Sequence, residues 1–343
     1  MDRVADRLEA GASPGLAPRS PRVLSLLSVV HGIVGTTRPG RAFLRALQVR
    51  YIARAWLRAA VLNEYRHLPD DITVVIGIRD RSDHRLALAL RSIRDQTYPA
   101  DQVLALVVDY GSEPGMAELT AQLCRELGAA YLRVETNGVW SRSRCLNIGI
   151  RRATTKYQIT SDADILLSPG YIAEAVNVLR GGPLSLVCAP MLDLPENSAD
   201  VLRAAAEGDG PLPLHDWKTW GTPRLGWKYH PSLTVTYTAF HRLIQGYDEF
   251  YELWGSEDVD LWRRLSKLGL DHRVLDSREA FYLHQWHPKY ENTADDARES
   301  AIRRNGDYYR RVQTILRNGP AWGRGVEPFA AEYPSRTSGA VDA

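Results

Sequence analysis

A chain of 343 residues is long enough to bury the core of one large domain or of two smaller ones. Its 43 Lys and Arg residues nearly balance 41 Asp and Glu residues, and a net charge of +2 argues against the general basicity of nucleic-acid-binding proteins. The three cysteines lie far apart without paired spacing, which argues against a disulfide framework and against a zinc site. A reducing cytoplasm is therefore the expected compartment.

The N-terminal segment is predicted to lie outside the main domain. Residues 1–20 mix Pro, Gly, Ser and Arg without periodicity, which predicts a disordered leader. The apolar stretch 23–34 is shorter than the roughly 20 residues of a membrane-spanning helix, so no transmembrane anchor is predicted. Residues 21–68 are predicted to form a basic helical extension, in which arginines alternate with apolar residues over 38–66. That segment would contact the inner face of an anionic membrane or, as the favoured alternative, the main domain or a second copy of the chain.

The central region alternates strand-like and helix-like segments, which is typical of an α/β domain. Predicted strands lie at 72–78, 103–108, 131–134, 157–159 and 184–190, and predicted helices at 86–96, 116–127, 143–152 and 169–179. Residues 193–231 lose this pattern and are predicted to form loops over the edge of the sheet. The sequence thus predicts a Rossmann-like mixed sheet flanked by helices over 69–290, a C-terminal helix over 291–318 and a flexible tail over 319–343.

Polar residues follow the second predicted strand. Asp109, Gly111 and Ser112 lie where open α/β sheets bind ligands. Gly111 permits a tight turn close to a ligand, and Asp109 is predicted either to contact a base or ribose or to form an Asx-turn. Arg144 lies in a cationic helix start that suits a diphosphate, with an ordinary solvated loop as the alternative.

Four carboxylates and a histidine are candidates for chemistry. Asp162 and Asp164 flank one small residue after a short strand, an arrangement that can hold Mg²⁺ but also occurs in turns and helix caps. Glu257 and Asp258 open an apolar-periodic helix, where they either stabilise the helix N-terminus or provide a general base. His284 ends a short strand and is either structural or a further ligand for the same cation.

Aromatic residues and histidines are concentrated near the C-terminal end of this region. Six of the nine tryptophans and six of the nine histidines lie between positions 215 and 287. Such clustering indicates a site, and the alternative is that large rings close a core among irregular loops.

Taken in order, these motifs resemble the nucleotide-sugar-dependent glycosyltransferases of the GT-A fold. The chain is most similar to the inverting family-2 type, such as bacterial chondroitin and hyaluronan synthases, and is also similar to the polypeptide N-acetylgalactosaminyltransferases. The resemblance covers about 72–289, and its most specific pieces are GYDE at 246–249 and WGSEDVDL at 254–261. Where these families often have Asp-Asp-Gly-Ser, this chain has Tyr110 after Asp109, so guanine and thymine nucleotides stay open beside uracil.

The resemblance implies a metal-dependent enzyme that moves a sugar from a nucleoside-diphosphate sugar, with UDP-sugars favoured, to an acceptor hydroxyl with inversion. The implied cofactor is Mn²⁺ or Mg²⁺. The acceptor is a sugar, lipid, peptide or small molecule, and no nucleic acid partner is expected. The implied residues are Asp258 as catalytic base with Glu257 beside it, Asp164, Asp162 and His284 for the metal, and Asp109, Gly111, Ser112, Arg144 and Asp162 for the nucleotide. The candidate acceptor-binding residues are Trp217, Trp220, Trp227 and Trp254.

Two other functions stay open. A sugar-phosphate nucleotidylyltransferase shares the sheet and the metal, but the segment 79–83 after the first strand lacks the glycines of its phosphate loop. A non-catalytic carbohydrate-binding protein would require a broken motif, and Asp162, Asp164, Asp258 and His284 are all present.

Overall fold

The chain folds into a mixed α/β structure with a larger and a smaller sheet. The computed structural model describes residues 55–57, 59, 65, 67–224, 232–275, 277–288, 295–325 and 330–332. The predicted mixed sheet flanked by helices is confirmed. The predicted leader 1–20 and most of the predicted extension 21–68 lie outside the described residues.

The larger sheet has eight strands in the order β10-β6-β9-β4-β1-β2-β3-β12. β1 pairs in parallel with β2 and with β4, whereas β9 runs antiparallel to β4 and β6. All of β2 is buried, as expected for a central strand that is covered on both faces. The strands are β1 (Ile72–Ile78), β2 (Val103–Tyr110), β3 (Ala130–Val134), β4 (Tyr157–Ser161), β6 (Ser185–Cys188), β9 (Thr234–Tyr237), β10 (Asp271–Val274) and β12 (Ala330–Glu332).

The smaller sheet has four strands in the order β5-β11-β7-β8. They are β5 (Ile165–Leu167), β7 (Met191–Asp193), β8 (Thr222–Pro223) and β11 (Tyr282–His284). β11 lies between β5, to which it is antiparallel, and β7, to which it is parallel. Because β4 belongs to the larger sheet and β5 to the smaller, the three residues between them cross from one sheet to the other.

Nine α-helices are described: α1 (His84–Arg94), α2 (Pro114–Glu126), α3 (Arg142–Arg152), α4 (Tyr171–Gly181), α5 (Ala199–Glu207), α6 (Leu214–Lys218), α7 (Thr238–Leu243), α8 (Glu257–Leu268) and α9 (Asp295–Arg311). α3 packs on β1 and β2, and a Cβ at Gly149 would lie 2.3 Å from a Val75 side-chain carbon. Glycine is therefore required for this close helix–sheet contact. No helix in the described ranges is long and apolar enough to span a bilayer.

The prediction of loops alone over 193–231 is wrong for two segments. α5 and α6 lie in this region and bury Leu202, Leu214 and Trp217 in a second apolar cluster with Leu88 of α1 and Phe281. The sequence pattern failed here because these helices are short and their apolar residues pack on α1 instead of on a long shared face.

The C-terminal segment packs against the domain. α9 ends earlier than the predicted helix at 291–318, and the chain beyond it places Arg317 against Asp248 at 3.1 Å and Asp260 at 2.9 Å. Trp322 packs against the core, so the first residues of the predicted tail are ordered by contacts. This segment therefore supports α8, which carries Asp260.

Candidate active site

The turn after β2 is closed by Asp109. This residue is fully buried, and its carboxylate accepts hydrogen bonds from the Ser112 backbone nitrogen at 3.0 Å and the Tyr131 hydroxyl at 2.5 Å. Gly111 has φ +83°, and a Cβ there would lie 2.3 Å from the Thr136 carbonyl oxygen. These contacts fit the Asx-turn, which was one of the two alternatives that the sequence left for Asp109. The other alternative, a contact between Asp109 and a nucleotide base, stays a prediction.

The central cation is Arg142, the first residue of α3. Its Nε donates to Asp162 Oδ1 and its Nη1 to Asp258 Oδ1, both at 2.5 Å, and its Nη2 donates to the Ser232 carbonyl at 3.1 Å. Burial alone would lower the pKa of Arg142, but Asp162 and Asp258 raise it well above its ordinary value. One charged guanidinium thus joins a carboxylate from the end of β4 to one from the start of α8.

Glu257 and Asp258 occupy the first turn of α8. The preceding Ser256 has φ +73° and its side chain makes no capping hydrogen bond, so a conventional serine cap does not explain the helix start. A left-handed non-glycine residue costs on the order of 1–3 kcal/mol and is typical of functional sites. Burial raises the pKa of both carboxyls. Arg142 opposes this shift, whereas Asp162 adds to it.

The segment before α8 is held from two sides. On one side, the hydroxyl of Ser141 donates to the Tyr251 carbonyl at 2.7 Å. On the other, the buried amide of Asn305 in α9 donates to the carbonyls of Glu252 and Trp254, each at 3.0 Å. The chain that delivers Asp258 is therefore fixed by α3 and by the C-terminal helix.

A second group forms where the smaller sheet meets the chain leaving β4. Asp164 Oδ2 lies 3.4 Å from His287 Nε2 and 3.9 Å from His284 Nε2. One ligand atom from each of the three residues can be chosen so that all lie within 4.8 Å of one another. Among the described residues, Asp164 Oδ1 is buried without a hydrogen-bond partner, which is costly for a carboxylate. Asp164, His284 and His287 therefore fit a divalent cation.

The register of the smaller sheet explains this arrangement. β11 pairs with β5 so that His284 lies opposite Ile165, the residue after Asp164. The Gln285 backbone nitrogen then donates to the Asp164 carbonyl at 2.9 Å, which fixes the two chains against each other. A mixed set of one carboxylate and two imidazoles suits Mn²⁺ better than Mg²⁺, which prefers oxygen ligands.

The structure separates the four predicted acceptor-binding tryptophans. Trp217 is only 2% exposed and lies in the second apolar cluster, so its burial argues against stacking on an acceptor. Trp220 is partly exposed beside it, with ring centroids 6.4 Å apart. Trp254 is 52% exposed next to the start of α8, with the guanidinium of Arg298 4.3 Å from its ring centroid. Trp227 lies outside the described residues.

The site predicted by sequence lacked Arg142, His287 and also Asp193, whose Oδ1 lies 3.1 Å from His284 Nδ1. Arg142 was passed over for Arg144, which is more exposed and lies 3.7 Å from Glu252. The helix period shows that residues two apart face different directions, but which of the two faces the carboxylates depends on how α3 packs against α8. His287 was missed because it follows its strand by three residues, and Asp193 because it lay in the region predicted as loops.

Comparison with known families agrees with this geometry. Residues 73–220 match the family described as glycosyl transferase family 2, and residues 215–288 match the one described as the N-terminal domain of galactosyltransferase. Over residues 73–220 the chain is thus similar to family-2 glycosyltransferases. The two matches together span Asp162, Asp164, Asp258 and His284.

Individual relatives are more distant. The chain is 24% identical over 273 residues to a hyaluronan synthase of Pasteurella multocida. The aligned region covers 69% of this chain and 26% of that protein. A crystal structure of S. aureus TarS 1-349 in complex with UDP-GlcNAc has 15% identity and a TM-score of 0.49, covering 69% of this chain and 66% of that one. A structure of the same protein in complex with UDP has 13% identity and a TM-score of 0.47, covering 70% and 71%. The chain thus spans about a quarter of the length of the synthase it matches.

Proposed function

We propose that this chain transfers a sugar from a nucleoside-diphosphate sugar, with UDP-sugars favoured, to an acceptor hydroxyl with inversion. The observation that carries the proposal is the guanidinium of Arg142, which donates one hydrogen bond to Asp162 and one to Asp258, each with a nitrogen–oxygen distance of 2.5 Å. Asp162, which is expected to contact the donor, and Asp258, which is expected to deprotonate the acceptor, are therefore neighbours. The similarity to a protein named hyaluronan synthase supports a role in glycan synthesis.

Asp258 is the proposed general base. A carboxylate removes the acceptor proton most effectively when its pKa is not far below the working pH, and burial raises the pKa of Asp258. The acceptor oxygen would attack the anomeric carbon from the face opposite the departing diphosphate, so the configuration inverts. Glu257, which is buried beside it, is proposed to bind the acceptor.

Arg142 has to change partners for this reaction. While its Nη1 is bonded to Asp258, the carboxylate is stabilised in its charged form and is a weaker base. We infer that the diphosphate of the donor draws the guanidinium away, because phosphate oxygens accept the same bidentate hydrogen bonds as carboxylates. Asp258 then regains the basicity that its burial produces. Donor binding would therefore precede activation of the base.

Asp164, His284 and His287 are proposed to hold a divalent cation, with Mn²⁺ favoured. Such an ion, when bound, neutralises charge on a leaving diphosphate. Asp162 was predicted as both metal ligand and nucleotide contact. Its carboxylate accepts a hydrogen bond from Arg142, and we retain it as a nucleotide contact.

The remaining donor and acceptor contacts stay predictions. Gly111 and Ser112 form the turn after β2, at the sheet edge expected to receive the nucleotide. Arg144 is proposed to approach the diphosphate from the same helix start as Arg142. Trp254 is the favoured acceptor platform because it is exposed next to Asp258.

The location in the cell also stays a proposal. We propose a cytoplasmic protein, with the segment 38–66 contacting either a membrane at its inner face or another protein surface. Flotation with liposomes that contain or lack anionic lipid distinguishes the two, because membrane binding by arginines requires the anionic lipid.

The direct test measures nucleotide release from UDP-, GDP- and dTDP-sugars by the full chain with Mn²⁺, Mg²⁺ or EDTA. Metal-dependent release of one nucleotide, with the sugar transferred to an acceptor, supports the proposal. A ligand at a hundred times its dissociation constant stabilises by roughly 2.7 kcal/mol, so the same panel read by thermal shift reports binding without turnover. Pyrophosphate formation from a sugar phosphate and a nucleoside triphosphate would support the nucleotidylyltransferase alternative, and sugar binding without either reaction would support the binding protein.

A further inference from the structure

Asp193 lies beside the proposed metal ligand His284. The two residues are direct partners in the parallel pairing of β7 with β11. Side chains of paired residues in a sheet point to the same face. Accordingly, Asp193 Oδ1 lies 3.1 Å from His284 Nδ1, while the other ring nitrogen, Nε2, points toward Asp164 Oδ2 at 3.9 Å.

Arg224 holds Asp193 in this position. Its Nε donates to Asp193 Oδ2 at 2.9 Å and its Nη2 to Oδ1 at 2.5 Å, a bidentate contact that fixes the carboxylate plane. The two hydrogen bonds from a guanidinium hold this carboxylate in its ionised form. Asp193 is therefore an anion that can only accept hydrogen bonds.

Arg224 and Asp193 favour opposite tautomers of His284. The Nη2 of Arg224 also lies 3.3 Å from His284 Nδ1 and can only donate, so by itself it would favour a bare Nδ1 and a proton on Nε2. Asp193 accepts at the same nitrogen, so it favours a proton on Nδ1 and a bare Nε2. The carboxylate is closer, and it also occupies two donors of Arg224.

We propose that Asp193 is a positioning residue for a divalent cation: by holding the proton of His284 on Nδ1, it leaves Nε2 free to bind the metal beside Asp164 and His287. This inference rests on the metal site of the proposed function. It goes beyond that proposal by assigning a role to the ion pair between Asp193 and Arg224. A partner at the non-ligating nitrogen of a metal-bound histidine typically changes metal affinity by about ten- to hundredfold.

The test is Mn²⁺ titration of the full chain followed by electron paramagnetic resonance, without substrate. Asp193→Ala is expected to weaken Mn²⁺ binding by about ten- to hundredfold, because the remaining Arg224 favours the tautomer that cannot bind. The double variant Asp193→Ala with Arg224→Ala is expected to recover part of that loss, since the opposing donor is gone. A purely structural ion pair predicts no such recovery.

Asp200→Ala is the matched control. It removes an aspartate that pairs with Arg203 at 2.7 Å on the exposed surface of α5, and it should leave Mn²⁺ binding unchanged. Melting curves show whether each variant is folded, and Asp164→Asn assigns the bound ion to this site.

The outcomes separate the inference from the function on which it rests. If the wild-type chain binds no Mn²⁺, or if Asp164→Asn binds Mn²⁺ as tightly as the wild type does, the metal site is overturned and this inference with it. Mn²⁺ binding that is lost in Asp164→Asn but unchanged in folded Asp193→Ala overturns only the role of Asp193. An affinity that falls in Asp193→Ala without recovery in the double variant overturns the tautomer argument.

Discussion

Asp162 and Asp164 are two residues apart, yet their carboxylates serve different clusters. Asp162 follows β4 of the larger sheet and shares Arg142 with Asp258. Asp164 precedes β5 of the smaller sheet and faces two histidines, and one of its oxygens accepts no hydrogen bond from the part of the chain that the structure describes. The first cluster carries its own counter-ion, whereas the second, within the described residues, leaves one carboxylate oxygen without a partner.

This difference indicates a division of labour. A guanidinium that is shared by two carboxylates can be drawn to a competing anion, such as a diphosphate. A buried carboxylate oxygen without a partner is instead satisfied by a ligand that brings positive charge. The guanidinium of the first cluster and the carboxylate oxygen of the second thus suit the diphosphate and the metal ion of the proposed donor complex.

The largest expected effect is at the proposed base. Asp258→Asn keeps the shape of the side chain but cannot accept the acceptor proton, and transfer should fall by about 10²- to 10⁴-fold. Donor binding, read by thermal shift with nucleotide and Mn²⁺, should persist. Undiminished turnover in this variant would remove Asp258 from the role of base, and loss of donor binding would place it at the nucleotide.

The next prediction breaks the first cluster. Arg142→Met leaves Asp162 and Asp258 without their shared counter-ion, and breaking a buried pair costs about 3–5 kcal/mol of unfolding free energy. Chemical denaturation measures this cost. Arg203→Met, which breaks a pair on the exposed surface, should cost less than about 1 kcal/mol. Equal losses in the two variants would show that the Arg142 cluster is not a strong structural element.

The same variant has a second consequence, for the pH dependence of turnover. The proposed base, Asp258, can accept a proton only when it is ionised, so activity should be lost as the pH falls through its pKa, which burial raises. Arg142 lowers that pKa, and removing it should move the acid limb of kcat/KM to higher pH. An acid limb that stays in place or moves to lower pH would contradict the coupling between Arg142 and Asp258.

The sequence alone could not predict that Asp162 and Asp164 belong to different clusters. The β-branched run of β1 and the apolar run of β2 predicted the central strands, because a buried parallel strand needs no polar alternation. The Asp-x-Asp pattern placed Asp162 and Asp164 at the end of a strand correctly. It could not show that the chain crosses between sheets there, because pairing with β11 depends on residues more than a hundred positions away.

The same limit applies to the choice of partners. His284 was found because it ends an apolar strand, whereas Asp193 becomes its neighbour only through the register of β7. The cationic helix start was recognised, but selecting Arg142 over Arg144 required the orientation of α3 relative to α8. The local sequence pattern identified which kinds of side chain form the site. Packing between distant segments determines which individual residues do so.

A smaller effect is expected from separating the two aspartates. Asp164→Asn removes a proposed metal ligand and should weaken Mn²⁺ binding by at least about tenfold, since even indirect partners of ligands contribute this much. Asp162→Asn should leave Mn²⁺ affinity nearly unchanged, because its carboxylate contacts Arg142. Equilibrium titration of both variants makes the comparison. If Asp162→Asn weakens Mn²⁺ binding as much as Asp164→Asn does, both aspartates bind the metal and the division between the clusters fails.

The smallest expected effect tests whether the two clusters depend on different parts of the chain. Asn305→Ala removes two hydrogen bonds to the segment before α8, at a cost of about 1–2 kcal/mol of unfolding free energy, and should lower kcat by loosening the placement of Asp258. Mn²⁺ affinity should not change, because none of the three proposed metal ligands contacts that amide. Arg303→Ala, which removes an exposed ion pair with Glu299 on the same helix, is the control. A parallel loss of Mn²⁺ affinity in Asn305→Ala would show instead that α9 supports both clusters.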